Sequence, residues 1–311
     1  MLIQIGILIL SHLILPTILL VWLSFGSEKS KIDELTKLLV VFSVTIFLFL
    51  HGRWDWLSYY LRFVLIILFF VAAFKSYKKL RRLPFNTRRE FNSWLSLGIN
   101  CLILITFSVF NIFILQGYFF NQPPVQLTFP LQNGIYYVGQ GGNSPTINHH
   151  HPNRAQRYAL DVVKLNRFGT RTRGLYPQEL TKYAIFGEPL YSPCSGKVEE
   201  KMDGFPDLTP PNRDRKHPAG NHVLIKCKEI NVLIAHLKSG SIVVEKGKRL
   251  REGQQIGQVG NSGNTTEPHL HIHAQGESSI LGSEGVPIIF NDRFLVRNSL
   301  VAQSEKIDRS R

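Results

Sequence analysis

An N-terminal α-helical membrane region followed by a C-terminal all-β domain, an antiparallel sheet or sandwich, is the fold class that this 311-residue sequence predicts. The first reason is the distribution of apolar residues. A mean hydropathy of 0.00 averages two unlike parts, a mostly apolar one up to about residue 120 and a mixed one from residue 121 onward. The second reason is the pattern after residue 121, where short runs of alternating or apolar residues are separated by Gly, Pro and Asn, as in an antiparallel sheet. These shifts divide the chain into a membrane region at 1–120, a linker at 121–145 and an outer domain at 146–311.

Four apolar stretches lie in the first part, at residues 2–25, 38–50, 56–74 and 94–115. The first, third and fourth approach the roughly 20 residues that cross a bilayer, and the second needs flanking residues to do so. A helix buried in a globular core carries a polar stripe, which these mostly lack. Cationic residues near membrane ends stay on the cytoplasmic side. The densest cationic run, residues 75–82 continued by Arg88 and Arg89, therefore sets the orientation. With four spans the C-terminal part lies on the extracytoplasmic side of the cell membrane. Arg62, near one end of the third stretch, has a stem long enough to reach the interface. The first stretch lacks the basic start and small-residue cleavage site of a signal peptide and reads as a span.

The net charge of +14 is shared evenly, with 12 basic and 5 acidic residues in 1–120 and 24 and 17 in 121–311. Topology accounts for the first excess. The second gives a basic surface suited to an anionic envelope polymer. A nucleic-acid partner is excluded, because there is no basic recognition helix and no aromatic ribonucleoprotein motif. Of the three cysteines, Cys101 lies in an apolar stretch. Cys194 and Cys227 flank strand-like runs and form either a disulfide in an oxidising compartment or a pair of buried thiols. Neither has a partner at zinc-site spacing.

The outer part begins with Pro- and Gly-rich turns. Next come three histidines, His149, His150 and His151, and a strand at 158–163 that carries one carboxylate, Asp161. A buried carboxylate is costly unless it is paired or binds a metal. Residues 166–186 form an irregular basic insertion with one helical turn near 177–183 and no evident role. Strand-like runs follow at 189–191, 196–200, 222–226, 232–236, 241–244, 255–259 and 269–274, the 232–236 run ending in His236. In the last run side chains alternate, so His269, His271 and His273 share one face while Leu270 and Ile272 take the other. A zinc site suited to hydrolysis needs about three protein ligands from imidazole and carboxylate, with one position left to water. Groups that titrate near neutrality then move the protons. Asp161, the upstream histidines, His236 and the His269 strand supply such an inventory.

The order of these pieces resembles the lysostaphin-like (LytM-type) zinc endopeptidases. The matching runs are Tyr158-Ala-Leu-Asp161, Gly187-Glu-Pro-Leu190 with Gly196-Lys-Val198, and Gly220-Asn-His-Val-Leu-Ile225. They continue with Ile234-Ala-His-Leu237, residues 247–260 with their repeated Gly and Ile/Val spacing, and Glu267-Pro-His-Leu-His271. The resemblance covers residues 146–274 in order, and the membrane stretches lie outside it. It implies a lysostaphin-like β domain in which Asp161 and His271 bind Zn2+ while His236 and His269 assist catalysis. The commonest position of the first ligand holds Arg157, which cannot coordinate zinc. Other members of the family place that histidine farther upstream, and His150 is the choice among its neighbours His149 and His151. His273 stands where the family often has an acidic residue, and reads as either a neighbour of the site or a surface histidine. The expected activity is hydrolysis of peptide bonds in the cell wall, the peptidoglycan cross-links or other envelope peptides, by a membrane-anchored zinc metalloendopeptidase. The alternative is a non-catalytic cell-wall-binding or hydrolase-activating domain of the same fold.

Overall fold

The computed structural model describes residues 2–87, 90–276 and 283–304, so Arg88 and Arg89 of the cationic run lie outside the described residues. The chain divides into two compact units, one of Met1–Trp54 with Ser58–Leu115 and one of Asp55–Leu57 with Gln116–Arg311.

The first unit is helical. Helix α1 (Leu2–Ile9) runs through a π-helical segment (Leu10–Ile14) into α2 (Leu15–Phe25). The widened turn has a local cause, since Pro16 lacks an N–H and its ring would collide with a carbonyl one turn back. Helices α3 (Lys31–His51), α4 (Leu61–Leu80) and α5 (Phe91–Gln116) follow. Ser30 caps α3 by accepting from the Asp33 N–H at 3.3 Å. Among the described residues two helices are long and apolar enough to cross a membrane by length and composition, Ile3–Phe25 and Phe91–Gln116, and the first would equally suit a signal sequence.

The two middle stretches differ from their expected bounds because their helices extend into charged sequence. Helix α3 takes in Glu34 and Lys37, which are fully buried and paired at 2.7 Å. Ser76 of α4 donates to the Glu34 carboxylate at 2.6 Å. Helix α4 begins at Leu61 rather than near Trp56, and it runs on through Lys75, Lys78 and Lys79. Arg62 lies at the start of α4 and is packed against aromatic rings. It is 5% exposed with its guanidinium 3.9 Å from the Phe49 ring, an attraction that helps offset the loss of water.

The second unit is built on strands β1 (Val125–Gln126), β2 (Gly134–Gln140), β3 (Leu160–Leu165), β4 (Pro189–Tyr191), β5 (Gly196–Met202), β6 (Asn221–Cys227) and β7 (Ile230–Leu237). It continues through β8 (Arg249–Leu250), β9 (Gln255–Gln258), β10 (Leu270–Gly276), β11 (Gly285–Val286), β12 (Ile288–Phe290), β13 (Arg293–Phe294) and β14 (Leu300–Gln303). The main sheet is antiparallel and orders its strands β14-β2-β3-β10-β7-β6-β5-β8, with β11 also paired to β10. Two small sheets, β1-β12-β13 and β4-β9, complete it. Thus β1 and β2 fall within the stretch read as a linker, where the Gly and Pro signals mark turns between strands. Residues 241–244 form no strand, although Ile242 and Val244 are buried and the Val243 N–H donates to the Ile256 carbonyl at 3.1 Å. One bond makes no ladder. The expected helical turn in the insertion is a single 3-10 turn at Leu180–Lys182.

One face of the main sheet is dry. Leu160, Val162, Ile234, Leu270 and Ile272 are each at most 2% exposed and belong to one continuous core. Burying each stabilises the unit by roughly 1.5–3 kcal/mol before the entropy of ordering is counted. That burial also pins the register, because a slip of one residue would turn the apolar set outward. Cys194 and Cys227 are joined as a disulfide with Cα atoms 6.0 Å apart, which closes the choice the sequence left open.

Candidate active site

With the apolar side chains of β3 and β10 fixed on the core face, alternation sends Asp161 and His271 to the other face. The register sets them directly opposite each other and sets His271 beside Ala235 of β7. His271 Nδ1 is 2.9 Å from an Asp161 carboxylate oxygen. The upstream histidine run reaches the same carboxylate, with His150 Nε2 2.9 and 3.0 Å from its two oxygens. The turn that makes this possible is held by Asn148, fully buried. Its amide nitrogen reaches the carbonyls of Gly142, Arg157 and Ala159 at 2.9–3.1 Å, and its side-chain oxygen accepts from the His150 N–H at 3.1 Å. His151 turns away to Asn143 Oδ1 at 3.2 Å. His149 is more exposed and packs its ring on that of His150 with centroids 3.9 Å apart.

His236 and His269 close the other side, their ring centroids 4.9 Å apart. The backbone of His236 is left-handed, with φ of 62°, a conformation rare outside Gly but tolerated by His more than by most residues. It leaves the pleat there, and its N–H donates to Ala219 O at 3.0 Å. A carbonyl can only accept, so the contact of His236 Nδ1 with Ser262 O at 2.9 Å puts the ring proton on Nδ1 and leaves Nε2 free. The same logic applies to His269, whose Nδ1 donates to Glu267 O at 2.9 Å. Its Nε2 faces Asp161 at 3.5 Å. His269 precedes β10 by one residue rather than lying within it.

The electrostatics follow from burial and one negative charge. At Asp161 burial opposes ionisation, but the adjoining His150 and His269 rings outweigh it and hold the carboxyl well below its usual range. Burial pushes His271 down, and pushes His236 and His273 well below the ordinary imidazole value. At His269 the same effect of burial is overcome by Asp161, and its pKa is raised. Neutral imidazole and ionised carboxylate are the forms that ligate a metal, so the donor set of His150, Asp161 and His271 fits zinc chemically. Donor atoms within 4.8 Å of one another form two groups, His149/His150/Asp161 and His236/His269/His271. The expected ligand set takes members from both, and the direct contacts of Asp161 with His150 and His271 join them. An open cleft of about 340 Å³ is lined by His149, His150, His236 and His271, and bordered also by Asn153, Ala219 and Asn264.

Residues 181–281 match the profile described as Peptidase family M23. The chain carries an M23 peptidase domain. The matched range holds His236, His269 and His271 but not His150 or Asp161, which the fold brings to them. The peptidoglycan DD-endopeptidase ShyA of Vibrio cholerae is 30% identical over 154 residues, 49% of this chain and 33% of its own length. ShyB of the same organism is 30% identical over 148 residues, 46% and 31% of the two chains. The match thus spans about a third of the length of these relatives. The solved structure of lysostaphin from Staphylococcus simulans shares 20% identity over 48% of this chain and 47% of that one, with a TM-score of 0.30.

The five residues expected from the sequence to form the site, His150, Asp161, His236, His269 and His271, meet at this one place. His273 joins them, buried at 3% exposure with Nδ1 3.0 Å from His271 Nε2. Sequence reasoning missed Asn148, Ser262 and the partners of Glu267. Asn148 and Ser262 act through one polar group that holds a loop or a ring, and no spacing rule marks such a residue.

Proposed function

We propose that this chain is a membrane-anchored zinc metalloendopeptidase that hydrolyses peptide bonds of the cell wall, the peptidoglycan cross-links above all. The convergence of His150, Asp161 and His271 with His236 and His269, beside an open cleft that His150, His236 and His271 line, carries the reading. The family match and the similarity to the peptidoglycan DD-endopeptidases ShyA and ShyB support it.

In this reading His150, Asp161 and His271 hold the metal. Zinc supplies a water acidified toward neutral pH and a Lewis acid for the scissile carbonyl. His236, with its proton on Nδ1, presents Nε2 to take a proton from the attacking water and to pass one to the leaving amine. His269, whose pKa Asp161 raises against burial, acts as an imidazolium: with Nδ1 committed to Glu267 O, its Nε2–H is the donor that steadies the negative charge growing on the carbonyl oxygen. The apolar helices at Ile3–Phe25 and Phe91–Gln116, rather than the four spans expected from the sequence, are the candidates for the anchor, with the peptidase on the extracytoplasmic side.

The test uses the full chain in detergent and purified peptidoglycan. The parent binds about one zinc per chain and releases new amino termini from the wall polymer. His271→Ala and Asp161→Ala lose the metal, whereas His236→Ala keeps it and loses turnover. A zinc-loaded parent that binds the polymer without cutting it would establish a wall-binding domain instead.

A further inference from the structure

We propose that Arg171, in the insertion between β3 and β4, is a positioning residue for His269 that acts through Glu267. The proposal rests on the peptidase reading above. Glu267 lies two residues before His269 and serves it with its backbone, the carbonyl accepting the His269 Nδ1 proton at 2.9 Å. The peptide bearing that carbonyl is Glu267–Pro268, and a proline nitrogen has no proton with which to hold it from the other side. Its orientation therefore depends on what grips Glu267 and its neighbours.

The insertion grips this turn twice. Arg171 Nε donates to the Glu267 carboxylate at 2.7 Å, and the Tyr176 hydroxyl donates to Thr266 O at 2.9 Å. Within the turn the Thr265 hydroxyl donates to the same Glu267 carbonyl at 2.8 Å. Arg171 is itself seated firmly, at 1% exposure. Its N–H donates to Asp55 O at 3.0 Å, and its Nη2 to Leu175 O at 3.2 Å. The guanidinium lies 3.7 Å from the Trp56 ring, which stacks on Tyr176 at 5.3 Å and 11°. The Asp55 carboxylate stands 3.8 Å from Nε as a second counter-charge. Asp55 and Trp56 belong to the same compact unit as the insertion and the turn. A guanidinium removed from water needs such partners. Their placement makes Glu267 a fixed point, and the ring of His269 hangs from its carbonyl.

The test compares the full chain with Arg171→Gln, Arg171→Lys and Glu267→Gln in detergent. Ring 15N signals of His269 are read in zinc-free, histidine-labelled protein, beside zinc content, thermal midpoint and kcat and KM on purified peptidoglycan. Arg171→Gln should shift or broaden the His269 ring signals and lower kcat by about 10- to 100-fold, the range for partners that orient site residues, at unchanged KM and zinc content. Arg171→Lys keeps the charge and should recover part of both. A folded Arg171→Gln with parental His269 signals overturns the proposal, whatever its thermal midpoint. Should that variant fail to fold, Glu267→Gln keeps the volume and the carbonyl and carries the same expectation. An inactive parent would refute the peptidase reading, while the ring signals would still decide the positioning role.

Discussion

His271 shows how one side chain is fixed from two ends. Its Nδ1 faces Asp161 and its Nε2 faces His273 Nδ1 at 3.0 Å, so the ring has little freedom to turn about its own axis. A metal ligand held this way binds more tightly than a free imidazole, because part of the ordering is done beforehand. His273→Ala is therefore expected to keep the fold but weaken zinc about 10- to 100-fold, measured by competition with a chromophoric chelator. An unchanged zinc affinity would return His273 to the role of an inert buried residue. His150 differs in kind. It hangs from a loop held by Asn148 rather than from a strand, and Asn148→Ala should release it. Zinc affinity should then fall together with stability by about 1–3 kcal/mol, the range for leaving buried groups unpaired.

At the scale of the element, β10 decides the site because it lies between β3 and β7 and takes its register from both. The His236 end of β7 depends on a close approach nearby. Gly220 has φ of 55°, and a Cβ there would lie 2.4 Å from the backbone C and O of Ser262. That oxygen is the acceptor for His236 Nδ1. Gly220→Ala must therefore move the Ser262 carbonyl and also carry a left-handed alanine, which alone costs about 1–2 kcal/mol. Thermal unfolding should show the loss of stability. The turnover of the protein that remains folded should fall as well, since His236 loses its tautomer anchor. Normal turnover per folded molecule would show that the carbonyl is not needed to orient the ring.

For the molecule as a whole, the disulfide and the metal act on different states. The Cys194–Cys227 bridge spans a sequence separation of 33 residues and restricts the unfolded chain. Loop-closure entropy then gives about 3–4 kcal/mol of stability, which reduction or Cys227→Ser would remove, as read by denaturant unfolding. In the proposed peptidase reading zinc binds the folded chain far better than the unfolded one, so chelation should lower the thermal midpoint in proportion to its affinity and abolish peptidoglycan hydrolysis. A midpoint insensitive to chelator would mean that the site does not hold the metal in solution.

The division into an apolar helical part and a β part was legible in residue types alone, because hydropathy and alternation are local properties. So was most of the site. Asp161 sits on a strand that otherwise reads as buried, and histidines two apart on a strand must share a face. What the sequence left open was long-range. It could not choose among His149, His150 and His151, since the choice depends on how Asn148 folds the loop back on β3. It left Cys194 and Cys227 either paired or free, since their pairing depends on the approach of β5 and β6. It offered no role for the insertion at residues 166–186. By itself the sequence determined the chemistry available, one carboxylate and several imidazoles at strand positions. Only the tertiary structure decided which of them meet, because register, loop return and the contacts of Arg171 are set by burying one apolar face and pairing the buried charges, which no local pattern encodes.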